Sequence, residues 1–391
     1  MDMYEVQKKI GSLCKLLYDD KSKDVFWGRV KYDADPCDAN AIELNGQFTG
    51  HTDEWDQKCS EKLEEMVRFA RSHETVLIYG TQAMGRHLSM ILKGKGVEIT
   101  GFCGRRHDKY SEGLFGKPVY SPEWLFAHAD SAYVIVAAGN ADGEIFDILR
   151  KHDFPQEHIY REPFTNAMFS SEATASAIQY FEFPQYYKKG TAFVDAGCYD
   201  LGSSKQFAKL LAENDDTAIL AFEPDKKSYA RCLEAMQASS LKNIQLFEAG
   251  LSNHEEIVSF DGQGDGHSRF SDLQKLPEQF IDRNITQDVQ PLQNVQKVRT
   301  VRLDDVVGEY TVGMIKMDIE GAEYAALHGA EKTIVKDRPL LAICVYHFPG
   351  DVLAIMEYLH EVVPEYRFLL RQYAFNYLLA PGETVLYAFV P

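Results

Sequence analysis

The chain has 391 residues, enough for two or three domains of ordinary size. Its 59 acidic residues outnumber the 41 basic ones, and a formal net charge of −18 without any Lys/Arg run argues against a nucleic-acid partner. Hydrophobic residues at 45% and aromatics at 12% can fill a core in each domain, which excludes a predominantly disordered chain.

No apolar run approaches the roughly 18–20 residues of a membrane span. The N-terminal MDMYEVQKKIGSLCKLLYDD has no signal-peptide core. Seven cysteines, at 14, 37, 59, 103, 198, 232 and 344, contain no CxxC pair. Neither a disulfide framework nor a structural zinc is expected, and reduced thiols in a cytoplasmic protein fit the pattern.

Three stretches differ in texture. Residues 1–73 hold two helix-like patches, VQKKIGSLCKLLYDD and DQKCSEKLEEMVRFARSH, around an irregular polar segment. They read as an accessory packing or oligomerisation segment, so a homo-oligomer stays open. Residues 74–165 alternate strand and helix. TVLIYG, VEITGFCG and SAYVIVAAG are strands, SPEWLFAHA is a helix capped by Ser121, and EHIYRE is a fourth strand candidate. This is the pattern of a small Rossmann-like unit.

Residues 166–391 repeat that logic at greater length. Helix SEATASAIQYFEF leads into strands TAFVDAG, TAILAFEP and NIQLFEAGLS, with helices between them. EEIVSF and KVRTVRL are further strands around a polar loop from Asp261 to about Gln296. GMIKMDIEG, helix AEYAALHGAEKTIVKD, strand PLLAICVYH and helix DVLAIMEYLHEVV follow. YRFLLRQY and ETVLYAFV close the chain as an expected antiparallel pair.

Two loops have the place of a nucleotide-binding turn. Gly80-Thr-Gln-Ala-Met-Gly85 follows a strand, but Gln82 stands where the middle glycine of a dinucleotide fingerprint belongs. The second strand there also lacks an acidic tip. Packing, or an NAD(P)-dependent sugar-nucleotide oxidoreductase, are the readings it leaves. The other loop, Asp195-Ala-Gly197-Cys-Tyr199-Asp200-Leu201-Gly202, precedes a helix, and Glu223 ends the next strand, 28 residues after Asp195. Glycine admits close backbone approach, and a carboxylate at the second tip suits a ribose diol.

FVDAGCYD, AFEPD, VRLDD, IKMDIEGAEYAALHGAEKTI and ICVYH, in this order, resemble the FkbM-type S-adenosylmethionine-dependent methyltransferases over roughly 190–391. The resemblance implies a class I methyltransferase fold, with a mostly parallel seven-stranded sheet and an antiparallel strand near one edge. It also implies S-adenosyl-L-methionine as cofactor and methyl transfer to a hydroxyl of a small-molecule or saccharide acceptor. Asp195, Gly197, Tyr199 and Gly202 then belong to the cofactor loop, Glu223 to the ribose, and Asp318 to the sulfonium methyl and cofactor ammonium. Leu201 stands where the family usually has glycine.

A sugar hydroxyl is a poor nucleophile and gains from a base near neutrality. His347, at the end of PLLAICVYH, is the expected general base, with binding or structural duty as its alternative. Glu320 and Glu323 enter the first turn of the next helix. Glu320 is read with the substrate, and Glu323 as a carboxylate favoured by the helix dipole. His267 and Arg269, in the loop DGQGDGHSRFSDLQK, are read as part of a lid over the acceptor. Arg371 either grips an acidic acceptor or is structural. Asp261 and Asp265 match no calcium loop, so no metal is expected. A non-catalytic cofactor-binding scaffold is the remaining alternative.

Overall fold

The computed structural model describes residues 3–36, 40, 43, 44, 47, 53–81, 83–105, 107–138, 141–160, 178–211, 217–238, 243–261, 269–270, 295–373 and 382–391. They form two compact units. The described residues of 1–36, 176–373 and 382–391 make one, and those of 37–175 make the other. This grouping differs from three consecutive segments, because the first two helices cluster with the C-terminal sheet. Among the described residues no helix is long and apolar enough to cross a membrane.

The 37–175 unit holds a parallel sheet in the order β3-β2-β1-β4, where β1 is Val76–Tyr79, β2 Gly101–Cys103, β3 Val119–Tyr120 and β4 Tyr133–Val136. Strand β3 was not foreseen. The fourth strand candidate reduces to a single bridge between Val134 and Ile159. Helix Pro122–Ala127 starts as expected, with the Ser121 side chain accepting from the Trp124 amide at 3.2 Å. Gly85 serves packing: a Cβ there would lie 1.9 Å from the Gly80 carbonyl oxygen. Arg105, just past β2, pairs with Glu144 at 2.9 Å. Gln82 lies outside the described residues.

The larger unit is built on a seven-stranded sheet, order β14-β15-β13-β12-β5-β6-β7. Here β5 is Ala192–Ala196, β6 Ile219–Phe222, β7 Ile244–Phe247, β12 Val312–Met317, β13 Leu340–Cys344, β14 Arg367–Gln372 and β15 Thr384–Phe389. Strands β5, β6, β12 and β13 are buried at every position, as expected of parallel strands covered on both faces. Only the pairings of β15, with β13 and β14, are antiparallel. This is the expected class I architecture. The segment 243–252 splits into β7 and β8 (Gly250–Leu251). A second sheet, β10-β9-β11-β8, contains β8 together with β9 (Glu256–Asp261), β10 (Arg269–Phe270) and β11 (Val295–Val301). Helix AEYAALHGAEKTIVKD is two helices, Glu323–Gly329 and Glu331–Asp337, broken at Ala330. Most of helix SEATASAIQYFEF lies outside the described residues, and its last part is turn.

The N-terminal helices close this unit at an exposed sheet edge. The Tyr18 amide donates to the Phe368 carbonyl at 2.8 Å, and the Phe368 amide to the Leu16 carbonyl at 3.1 Å. Residues 16–18 thereby occupy backbone groups on β14 that would otherwise be free to pair with another chain. Helix Asp20–Ala34 follows, capped by Asp19, whose carboxylate accepts from the Ser22 amide at 2.8 Å.

Candidate active site

Strand β5 lies between β6 and β12, so the chain leaves it in opposite directions at its carboxyl end. Open α/β sheets bind ligands at such a reversal. A cavity there is lined by Gly197 and Tyr199 after β5, Phe222 and Glu223 at the tip of β6, and Asp318, Ile319 and Glu320 after β12. Gly250, Leu251 and Phe260 of the second sheet also line it.

Gly197 makes the cavity possible. Its φ is +74°, and a Cβ would sit 1.9 Å from the Asp318 carbonyl oxygen. Only glycine lets these two strand ends meet. Tyr199, Leu201 and Glu320 also have positive φ, at 53°, 63° and 55°. Backbone strain thus concentrates where the loops converge. Leu201 is fully buried and precedes helix Gly202–Leu210 as its N-cap, without a side-chain cap bond. The departure at this position costs backbone strain and gains apolar burial.

Asp195 and Gly202 do not line the cavity. Asp195 is wholly buried beneath it, with Oδ2 accepting from Ser203 Oγ at 2.7 Å and Ser204 Oγ at 2.6 Å. Its Oδ1 is 3.3 Å from Lys316 Nζ. The Gly202 amide is already used by Asp200 Oδ1, at 2.8 Å. Asp195 therefore fixes the loop and the helix start.

Lys316 is the residue that sequence reasoning missed. It sits directly opposite Asp195 across the β5–β12 pairing and donates to the carbonyls of Ala196 at 3.2 Å and Gly197 at 2.7 Å. Burial opposes its charge, but the Asp195 and Asp318 carboxylates outweigh burial and hold the ammonium protonated. The signal was available: a lysine inside the apolar run VGMIKM requires a buried carboxylate partner.

Glu223 accepts from the Tyr199 amide at 3.0 Å and the Asp225 amide at 2.8 Å. Burial, with Asp225 adding to it, raises its pKa to about 7 against those two hydrogen bonds. Asp318 accepts from Tyr180 Oη at 2.8 Å and from Tyr346 Oη at 3.3 Å. Burial would raise its pKa, but Lys316 and His347 hold it below the ordinary value. Glu320 is pushed up to about 8 by burial and by the neighbouring carboxylates.

His347 stands three residues beyond the end of β13. Its Nδ1 lies 3.0 Å from Glu323 Oε1, and its Nε2 is 3.6 Å from Asp318 Oδ1 and 3.8 Å from Glu320 Oε2. Burial alone would lower its pKa, yet Glu323, Asp318 and Glu320 raise it to about 10. The imidazole therefore carries a proton at neutral pH and has no lone pair for a hydroxyl. That is the opposite of the resting general base expected. Glu323, buried at the start of its helix, also accepts from the Ile319 amide at 2.8 Å, so it positions both His347 and the 318–320 turn.

Arg371 is not at this site. It is buried on β14, with Nε 3.0 Å from Glu182, Nη2 2.7 Å from Asp19 and Nη1 2.9 Å from Ser22 Oγ. Its donors tie the N-terminal helix to the sheet, which is the structural reading. Asp19 is held down to about 2: burial alone would raise it, but Arg371 and Ser22 prevail. Arg269 lies in β10 opposite Asp261, and its side chain, His267 and most of the expected lid fall outside the described residues.

Residues 195–376, which include the loops around the cavity, match the family model of the methyltransferase FkbM domain. The 2-O-methyltransferase NoeI of Sinorhizobium fredii is 30% identical over 163 residues, which cover 39% of this chain. The match spans 62% of that relative's length. Among solved structures, the FkbM methyltransferase of Methylobacillus flagellatus KT is similar at 16% identity and a TM-score of 0.45, over 86% of this chain and 98% of that one. The S-adenosylhomocysteine-bound methyltransferase PaMTH1 of Podospora anserina aligns at 13% identity and a TM-score of 0.31, over 69% of this chain and 94% of that one.

Proposed function

We propose that the chain transfers a methyl group from S-adenosylmethionine to a hydroxyl of a saccharide-type acceptor. The observation that carries this reading is the convergence of Gly197, Glu223 and Asp318 on one cavity inside the FkbM-type domain. The similarity to a 2-O-methyltransferase supports an oxygen acceptor.

The residues present fit the cofactor. A backbone approach that no side chain permits is available at Gly197. Glu223 keeps lone pairs for the two ribose hydroxyls beyond its two backbone donors. Asp318 is kept anionic, which suits a cationic ammonium and sulfonium. S-adenosylmethionine supplies an electrophilic methyl group on its sulfonium when bound there.

The chain's own contribution is positioning and electrostatics. Lys316 ties Asp195 to the carbonyls of Ala196 and Gly197, so the cofactor loop is held before any ligand arrives. Tyr180 and Tyr346 orient Asp318. Glu320, at the cavity wall, accepts a hydrogen bond from the acceptor hydroxyl. The net charge of −18 favours a neutral or modestly charged sugar over a polyanionic glycan.

The test is incubation with methyl-labelled S-adenosylmethionine and a panel of neutral and acidic saccharides, read as alkali-stable methyl ether. Asp318→Asn is expected to lower the rate at least about a hundredfold, as removal of an electrostatic group at a reacting centre does. Label appearing in nucleic acid or protein, and in no saccharide, would overturn the acceptor assignment.

A further inference from the structure

We propose that Asp318, Glu320 and His347 form a binding site for one divalent cation beside the cavity. One donor atom from each lies within 4.8 Å of the other two. With Nε2 at 3.6 Å from Asp318 Oδ1 and 3.8 Å from Glu320 Oε2, a point about 2.0–2.4 Å from all three donors exists, the range of bonds from Mg2+, Mn2+, Zn2+ or Ca2+ to oxygen and nitrogen.

Carboxylates gathered at a sheet end do not by themselves make a metal site. The imidazole supplies the independent observation. The His347 side chain is only 8% exposed, and its Nε2 is buried without a hydrogen-bond partner, facing the two carboxylates. Its other nitrogen is 3.0 Å from Glu323 Oε1. A histidine that ligates a metal through one nitrogen and is oriented by a carboxylate at the other has this arrangement. Asp318 is oriented in the same way, by the hydroxyls of Tyr180 and Tyr346. Tyr180 holds Asp318 Oδ2, and Oδ1 keeps a lone pair beyond the one that Tyr346 uses at 3.3 Å.

Two carboxylate oxygens and one imidazole nitrogen leave the remaining coordination positions of a divalent ion open to the cavity. An acceptor oxygen, or two adjacent sugar hydroxyls, fits there. On binding, the O–H bond breaks, the electron pair stays on the oxygen, and the proton passes to bulk water. His347 releases its Nε2 proton to solvent when the ion binds, so the ion, and not the imidazole, supplies the activation. This role rests on the methyl-transfer reading, whereas ion binding itself rests on the three side chains alone.

The test uses the full-length chain stripped with EDTA and titrated with Mn2+, with free ion followed by electron paramagnetic resonance. One saturable Mn2+ per chain is expected, with an imidazole nitrogen coupling in the echo-modulation spectrum of the bound ion. His347→Gln and Glu320→Gln should each weaken binding at least about tenfold while circular dichroism stays unchanged. No saturable binding, a bound ion without nitrogen coupling, or wild-type affinity in both folded variants overturns the proposal. S-adenosylhomocysteine calorimetry on the same samples separates the two readings. A chain that takes Mn2+ but no S-adenosylhomocysteine keeps the ion site and loses the methyl-transfer reading, and one that does the reverse loses the ion site.

Discussion

Glu223 offers the sharpest consequence of the site's electrostatics. In the ligand-free protein its carboxyl has a pKa of about 7, because burial disfavours the charge more than the Tyr199 and Asp225 amides favour it. The folded chain thus retains a proton that the unfolded chain releases near 4.5. This group's contribution to stability is full below that value and declines as pH rises through about 7. Cofactor binding has the opposite slope, because the carboxylate accepts from both ribose hydroxyls, whereas protonation turns one of its oxygens into a donor and removes the charge. Each pH unit below about 7 should cost about tenfold in affinity, so at pH 5.5 S-adenosylhomocysteine binds about thirtyfold more weakly than on the plateau above pH 8, about 2 kcal/mol. Titration calorimetry at half-unit intervals measures this directly. Glu223→Gln should flatten the profile and lower the plateau. Its amide nitrogen would face a backbone N–H and leave that donor unpaired, at about 1–3 kcal/mol. A flat wild-type profile, or an unchanged slope in Glu223→Gln, refutes the placement of this carboxylate at the ribose.

Gly197→Ala combines a left-handed backbone with a Cβ 1.9 Å from the Asp318 carbonyl oxygen. It should cost about 2–5 kcal/mol in urea unfolding and at least tenfold in S-adenosylhomocysteine affinity. Leu201→Gly removes backbone strain of about 1–2 kcal/mol but also a fully buried side chain, so it should destabilise by about 1–4 kcal/mol and leave cofactor affinity within about threefold. A gain in stability would contradict its burial. Arg371→Met should cost about 2–4 kcal/mol, discounted because Asp19 is partly exposed, with cofactor affinity unchanged. A selective loss of activity on acidic acceptors would instead return Arg371 to the substrate. Asp19, held down to about 2, contributes stability that is present above about pH 4 and is lost as pH falls through 2, which acid unfolding of wild type against Asp19→Ala will show.

The sheet was legible because its strands are short apolar runs, each ending in a residue the fold needs at a carboxyl tip. FVDAG, AFEP and IKMDIEG put Gly197, Glu223 and Asp318 at or just past the carboxyl tips of three strands, and all three line one cavity. What stayed hidden depends on register and on contacts distant in sequence. Lys316 faces Asp195 only once β5 and β12 are aligned, 121 positions apart. His347 looked like a free base because its own segment is apolar, whereas its charge state comes from Glu323, Asp318 and Glu320 on the neighbouring turn. The anchoring of Arg371 by Asp19 and Ser22 joins the two ends of the chain. No local pattern announces that contact, which is why residues 1–73 read as one separate segment, although 1–36 cluster with the C-terminal sheet.

The central claim is that the cavity at the ends of β5, β6 and β12 holds S-adenosylmethionine. Calorimetric titration of the wild-type chain and Gly197→Ala with S-adenosylhomocysteine and with NADH at pH 8 addresses it most directly. One S-adenosylhomocysteine per wild-type chain, weakened at least tenfold in the variant, with no heat from NADH, is the predicted result. Binding of NADH without S-adenosylhomocysteine would contradict it and move the chemistry to the 37–175 unit.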